Sequence, residues 1–120
     1  GSVELLQQQR DQNWDGVILS NILDNMKPED ALLALKECAR ILRSGGKILI
    51  KLNPFLTQEQ ITAWKIQRIA PDLLDDGFLL WNREDSFWKE LLENTFSSVV
   101  QREVYYPEFD KRERLFCCVK

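Results

Sequence analysis

Residues 14–53 read WDGVILSNILDNMKPEDALLALKECARILRSGGKILIKLN, and this stretch decides the fold. Its first apolar run, 16–20, carries no charge and is too short for a helix, so it predicts a strand buried on both faces. A polar loop follows at 21–27. Pro28 stands where a first helical turn tolerates proline, and Glu29 and Asp30 place negative charge beside the free amides of that end. Leu32, Leu35, Ala39 and Leu42 then recur at steps of three and four, with Ala31 and Cys38 widening the stripe. That spacing predicts one apolar helix face. Lys36, Arg40 and Arg43 suit the carboxyl end of the helix, and Gly45 and Gly46 are expected to stop it. Residues 47–52 resume as a second apolar strand. Strand, helix and strand predict a right-handed parallel crossover. Its carboxyl edge brings 20–25 and 53–55 together as the expected ligand side.

Outward from this unit, the leader 1–13 holds three consecutive glutamines and reads as a strand end or turn followed by a solvated loop. Asn53-Pro54 closes the second strand, because a residue before proline is pushed to extended backbone. Thr57 and Gln60 form a capping-box pattern ahead of Ile61, Trp64, Ile66 and Ile69, predicting a helix over 58–69 that Pro71 ends. Asp76-Gly77 between short apolar runs predicts a hairpin within 72–82. Phe87, Trp88, Leu91 and Leu92 share a stripe in a helix expected over 83–95. Two strands follow, 98–106 and 114–119, joined by a short polar link as an antiparallel hairpin.

Composition narrows the function classes. With 16 basic and 19 acidic residues, a net charge of −3 and no basic stripe, the chain is not expected to bind nucleic acid. Lys111, Arg112 and Arg114 read as a solvated turn beside an edge strand. The 120 residues, 44% hydrophobic and 29% charged, suit one ordinary globular unit. Three cysteines, two of them adjacent, argue for free thiols and a reducing, cytoplasmic setting. No run approaches the ~20 apolar residues of a membrane span, so no membrane partner is expected. With no histidine and no Cys-x-x-Cys pair, no metal site is expected either. Cys117 and Cys118 should point to opposite faces of their strand.

The ordered set Trp14-Asp15-x-Val17, Ser20-Asn21-Ile22-Leu23 and Glu37-x-x-Arg40-Ile41-Leu42-x-x-Gly45-Gly46-x-Ile48-x-Ile50 resembles the fourth strand, following helix and fifth strand of class I S-adenosylmethionine-dependent methyltransferases. The resemblance covers about the last two thirds of that domain on the usual domain size. It implies an α/β fold: a partial Rossmann-like three-layer sandwich of parallel strands with a C-terminal antiparallel hairpin. The parts are a leader loop (1–13), a strand-helix-strand core (14–53), a substrate-side insertion (54–82) and a helix plus hairpin (83–120). No Gly-x-Gly-x-Gly loop occurs, so the cofactor-cradling first half is expected to be missing from this chain. The isolated chain should then bind S-adenosylmethionine weakly or not at all.

By the resemblance, Ser20, Asn21 and Ile22 stand where the family meets the methionine part of the cofactor. Asn21 is equally readable as a loop residue bonding its own backbone. Asn25, Asn53 and Trp81 are the substrate-side candidates, for a small-molecule or other soluble acceptor. Trp64, Phe78 and Trp81 either line a pocket or form the insertion's own core. Relatives often carry histidine at 24 and 25; here Asp24 is the leading carboxylate for taking a proton, with Tyr105 or Tyr106 behind it, unless Asp24 opens the turn before Pro28. Asp15 is assigned a structural part. The alternative to an enzyme is a non-catalytic interaction module, with two copies associating through the unprotected edge of strand 16–20.

Overall fold

The computed structural model describes residues 2–120, with side chains from Glu4 onward. Eleven elements follow in order: α1 (Ser2–Gln7), β1 (Trp14–Ser20), α2 (Pro28–Ile41), β2 (Leu42–Leu52), α3 (Gln58–Ala63), β3 (Gln67–Ala70), β4 (Leu73–Asp75), β5 (Leu79–Trp81), α4 (Asp85–Glu93), β6 (Ser98–Tyr106) and β7 (Lys111–Val119). The main sheet has the order β1-β2-β7-β6. β1 and β2 run parallel; β7 is antiparallel to β2 and to β6. The parallel pairing and the antiparallel closing hairpin are as expected, except that β7 begins at Lys111, inside the predicted link.

One face of this sheet is the core. Val17, Ile48, Cys118 and Val99 lie in one cross-strand row, Leu19, Ile50 and Phe116 in the next. Both rows pack against Ala31, Ala34, Leu35 and Cys38 of α2 and Trp88 and Leu92 of α4. The other face carries the row Ile18, Leu49, Cys117 and Val100, where Ile18 is 72% exposed. Strand 16–20 is thus covered on one face rather than both, and the described chain contributes the sheet and one helical layer. Cys118 is buried and Cys117 half-buried, as strand alternation requires.

The buried stripe of α2 is Ala31, Ala34, Leu35, Cys38 and Ile41, rotated from the predicted one, and Leu32 is exposed. Three of the five inner side chains, Ala31, Ala34 and Cys38, are small. Pro28 does open the helix, with Glu29 and Asp30 in its first turn. The helix ends earlier than the glycines: Leu42 takes extended backbone, is fully buried and pairs with Trp14. Gly45, at φ +80°, instead lies inside β2 where its register against β1 shifts, and a Cβ on Gly46 would come within 2.8 Å of the Arg43 carbonyl oxygen.

The leader contains α1 rather than a strand end. Arg40 ties it down, donating to the carbonyls of Leu6 (3.0 Å) and Gln9 (2.9 Å), while also paired with Glu37 (2.6 Å) and Asp11. The predicted helix 58–69 stops at Ala63. Its capping box, Thr57 with Gln60, is present, but Lys65 adopts φ +54° and the chain continues as β3, paired with β4. Ile61 and Ile66 form a small separate core with Leu74, whereas Trp64 and Ile69 stay exposed. The Asp76-Gly77 turn joins β4 to β5 as expected, with Gly77 at φ +81°. No helix among the described residues is long and apolar enough to cross a membrane.

Candidate functional site

The parallel strands β1 and β2 end together at Ser20 and Leu52, and the residues that follow build a polar rim. Asn21 adopts φ +55°, a left-handed conformation that asparagine tolerates better than most residues. That turn lets its backbone N–H reach the Lys51 carbonyl at 2.8 Å and its side chain face β2. Asn21 Nδ2 donates to Asn53 Oδ1 at 3.2 Å and to Glu113 Oε1 at 3.4 Å. Asn21 therefore bonds across the sheet.

Asn53 is the hub. Its backbone N–H donates to Asp24 Oδ2 at 2.8 Å, and its Nδ2 donates to both Asp24 oxygens at 3.2 Å and to Asn25 Oδ1 at 3.0 Å. Asn25 Nδ2 in turn donates to the Leu79 carbonyl of β5 at 2.8 Å. Asp24 lies in a single 3-10 turn, Leu23–Asn25, and is fully buried. Burial pushes its carboxyl above the usual value, opposed by the hydrogen bonds from Asn53 and the charge of Arg114.

Arg114, expected in a solvated turn, is instead 7% exposed. Its guanidinium grips the Asn53 carbonyl (2.7 and 3.0 Å), the Arg83 carbonyl (2.8 Å) and Asp85 (3.1 Å). A planar fork of donors suits such multiple carbonyl contacts. Its neighbour Glu113 is also buried, and burial pushes its carboxyl up; Lys111 and Lys51 outweigh this and hold it below its usual value. Lys111 and Arg112 are the exposed remainder of that predicted patch, and each is paired, with Glu113 at 2.9 Å and Glu103 at 3.2 Å.

Beside the rim opens a cavity of about 700 Å³, within the size range of small-molecule sites. Asn25 and Asn53 form its floor, with Leu56 and Leu80 behind them. Trp64, Phe78 and Phe109 stand around its mouth, together with Asp76, Asp110, Lys111 and Arg112. A reciprocal pair of bonds between Asn82 and the Leu56 backbone, 2.9 Å each way, holds the segment that leads into α3.

Of the predicted candidates, Asn21, Asp24, Asn25 and Asn53 come together in one bonded cluster. Ser20 and Ile22 flank it at the exposed rim but do not line the cavity. Trp81 lies elsewhere: it is 4% exposed, edge-on to Trp88 (5.2 Å) and Phe87 (5.4 Å), with Nε1 on Asp72 (3.2 Å). It is a core residue, because β5 turns it inward to the main cluster. Tyr105 and Tyr106 bond Asp110 (3.0 Å) and Lys51 (2.8 Å) respectively. The sequence reading missed Phe109, Gln60, Arg112 and the two aspartates of the mouth. Their one signal was an aromatic ring in an otherwise polar link, at Phe109 as at Phe78.

Two buried thiols are held in the protonated form by desolvation, Cys38 pushed up to about 11 and Cys118 to about 12. Neither is a nucleophile. Among the described residues no group of His, Cys, Asp or Glu is arranged to hold a metal ion.

Residues 1–50 match a family model described as a methyltransferase domain. No curated protein matches the chain. Among solved structures, the chain is similar to the 1,6-didemethyltoxoflavin-N1-methyltransferase of Burkholderia thailandensis, at 16% identity and TM-score 0.70, covering 97% of this chain and 48% of that one. It is similar to a SAM-dependent methyltransferase from Archaeoglobus fulgidus, at 16% identity and TM-score 0.73, over 100% and 65%. A third likeness, to a SAM-dependent methyltransferase from Methanosarcina mazei, has 13% identity and TM-score 0.65, over 94% and 62%. The chain thus spans about half to two thirds of these structures' length. Strand order and these matches agree: the chain has the fold of the class I S-adenosylmethionine-dependent methyltransferases and spans part of it.

Proposed function

We propose that this chain is the carboxyl-terminal portion of a methyltransferase that transfers a methyl group from S-adenosylmethionine to a small-molecule or other soluble acceptor. The observation that carries the reading is the bond from Asn21 to Asn53 at 3.2 Å: one partner belongs to the expected cofactor rim and the other lines the cavity. Ser20 and Ile22, exposed on that rim, offer a hydroxyl and an apolar wall to the methionine end of the cofactor. The amide of Asn21 fits that role as a positioning group, since its own donors are already committed to Asn53 and Glu113.

When bound, the cofactor supplies an electrophilic methyl group. What this chain adds is position: Asn25 and Asn53, held by their mutual hydrogen bond, line the cavity together with Trp64, Phe78 and Phe109. Asp24 acts through Asn53 and Asn25. It is a positioning residue, because its carboxylate is buried and both oxygens face Asn53. The described residues supply one side of a cofactor site, so the isolated chain is inactive and binds the cofactor weakly. Its free thiols fit a cytoplasmic setting.

Calorimetric titration with S-adenosylmethionine tests this on the chain and on its longer parent protein. Binding by the parent and little by the chain is expected; no binding by either overturns the reading. A second reading, a non-catalytic dimerisation module, is favoured by the edge position of β1 and the exposed Ile18 row. It predicts a stable dimer with no affinity for the cofactor.

A further inference from the structure

Three aromatic side chains at the cavity mouth are left largely in solvent: Trp64 is 60% exposed, Phe78 76% and Phe109 77%. Each comes from a different element, the end of α3, the β4–β5 turn and the β6–β7 link. All three converge on one cavity. A ring that turns its face to what enters a cavity presents the negative part of its quadrupole.

The charges at the mouth divide unequally. Lys111 is paired with Glu113 at 2.9 Å, a carboxylate that Lys51 also approaches at 3.4 Å. Arg112 is neutralised by Glu103 at 3.2 Å and stacked on the Tyr105 ring at 4.4 Å. Among the described residues Asp110 forms no ion pair and only accepts a hydrogen bond, from the Tyr105 hydroxyl at 3.0 Å. The Asp76 side chain has no hydrogen bond or ion pair among the described residues. Lys51, Lys111 and Arg112 thus share Glu113 and Glu103, while Asp76 and Asp110 have no ion-pair partner among the described residues, so the carboxylates outnumber the cations around the mouth.

From this we infer that the cavity selects an amine, held as its cationic form or as a centre that becomes cationic during reaction. The inference rests on the cavity being the acceptor site. In the transfer, the acceptor nitrogen's lone pair forms the new N–C bond while the C–S bond breaks with its electron pair going to sulfur. Positive charge thereby moves from sulfonium to ammonium, and a primary or secondary amine then gives its extra proton to solvent. Ring faces and unpaired carboxylates stabilise that developing charge. A neutral amine has its lone pair in place, whereas one bound as ammonium first gives a proton to solvent and then reacts as the free base.

The test uses the 120-residue chain and reads the Trp64 indole signal by NMR during titration. The probes are (2-hydroxyethyl)trimethylammonium, its uncharged carbon isostere 3,3-dimethylbutan-1-ol, and 2-hydroxyethanesulfonate. The ammonium should bind about tenfold more tightly than the alcohol, on the usual strength of cation–π contacts, and the sulfonate least. Phe78→Ala and Phe109→Ala should each weaken ammonium binding several-fold, and Asp76→Asn should erase part of the preference over the alcohol. All three side chains are on the surface, so the variants should fold; Leu5→Ser, outside the cavity, should bind as the parent chain does. Equal binding of alcohol and ammonium, tightest binding of the sulfonate, or no response to the ammonium overturns the inference. If the longer parent binds S-adenosylmethionine while the ammonium fails, only the acceptor class is lost. Ammonium binding without cofactor binding by the parent instead removes the methyltransferase reading.

Discussion

The Asn21 side chain donates a hydrogen bond to the Asn53 side chain at 3.2 Å, across 32 residues of sequence. Through it, the end of β1 is bonded to the end of β2, and Asn53 passes the connection to Asp24, to Asn25 and so to the Leu79 carbonyl of β5. One continuous line of amides joins the ends of β1 and β2 to β5.

Asp24 gives this line a pH signature. Burial raises its carboxyl above the usual 3.8, so the folded chain holds this proton more tightly than the unfolded one. The stability that Asp24 contributes is complete below the unfolded value and is lost as pH rises through the folded value. Asp24→Asn does not titrate. Urea unfolding from about pH 3.5 to 7 should show the variant gaining on the parent chain as pH rises; the opposite slope would contradict the buried, desolvated carboxyl.

Arg114 is expected to be the costliest charged side chain to remove. Arg114→Met strips the donors from the Asn53 and Arg83 carbonyls and should cost about 2–4 kcal/mol, the range for leaving buried polar partners unsatisfied. Arg114→Lys should recover less than half, since an ammonium cannot bridge carbonyls held in a fork. Denaturant midpoints measure both. A loss under ~0.5 kcal/mol for the methionine variant would return Arg114 to the solvated-surface class.

The open sheet face makes a prediction about association. Ile18 lies on the edge strand and begins the exposed row that continues through Leu49 to Val100. If copies pair through this edge and face, Ile18→Lys places a charge in the contact and should shift the chain to monomer in sedimentation experiments. A parent chain already monomeric at high concentration would dispose of the idea.

Much of the backbone plan was legible in local chemistry. Pro28, Thr57 with Gln60 and Asp76-Gly77 each specify a start or turn through nearest neighbours alone, and each element begins or reverses there. The helix stripe was placed one step round from its true position because Leu32 and Ala31 are both apolar, and hydrophobicity alone does not say which of them turns inward; Ala31 is 3% exposed and Leu32 45%. Ile69 and Trp64 continued a helical period but found no surface to bury against, and strand pairing with β4 took the segment instead.

By itself, then, the sequence determined the parallel crossover and the meeting of Asn21 with Asn53, since two same-direction strands must end on the same side of their sheet. Tertiary structure alone decided which polar groups are buried and which rings are free. Arg114 and Asp24 left water because backbone groups distant in sequence satisfied them. Trp81 entered the core while Phe78, three residues before it, remained at the cavity mouth. Such choices depend on what the fold places opposite each side chain, a partner that no local pattern names.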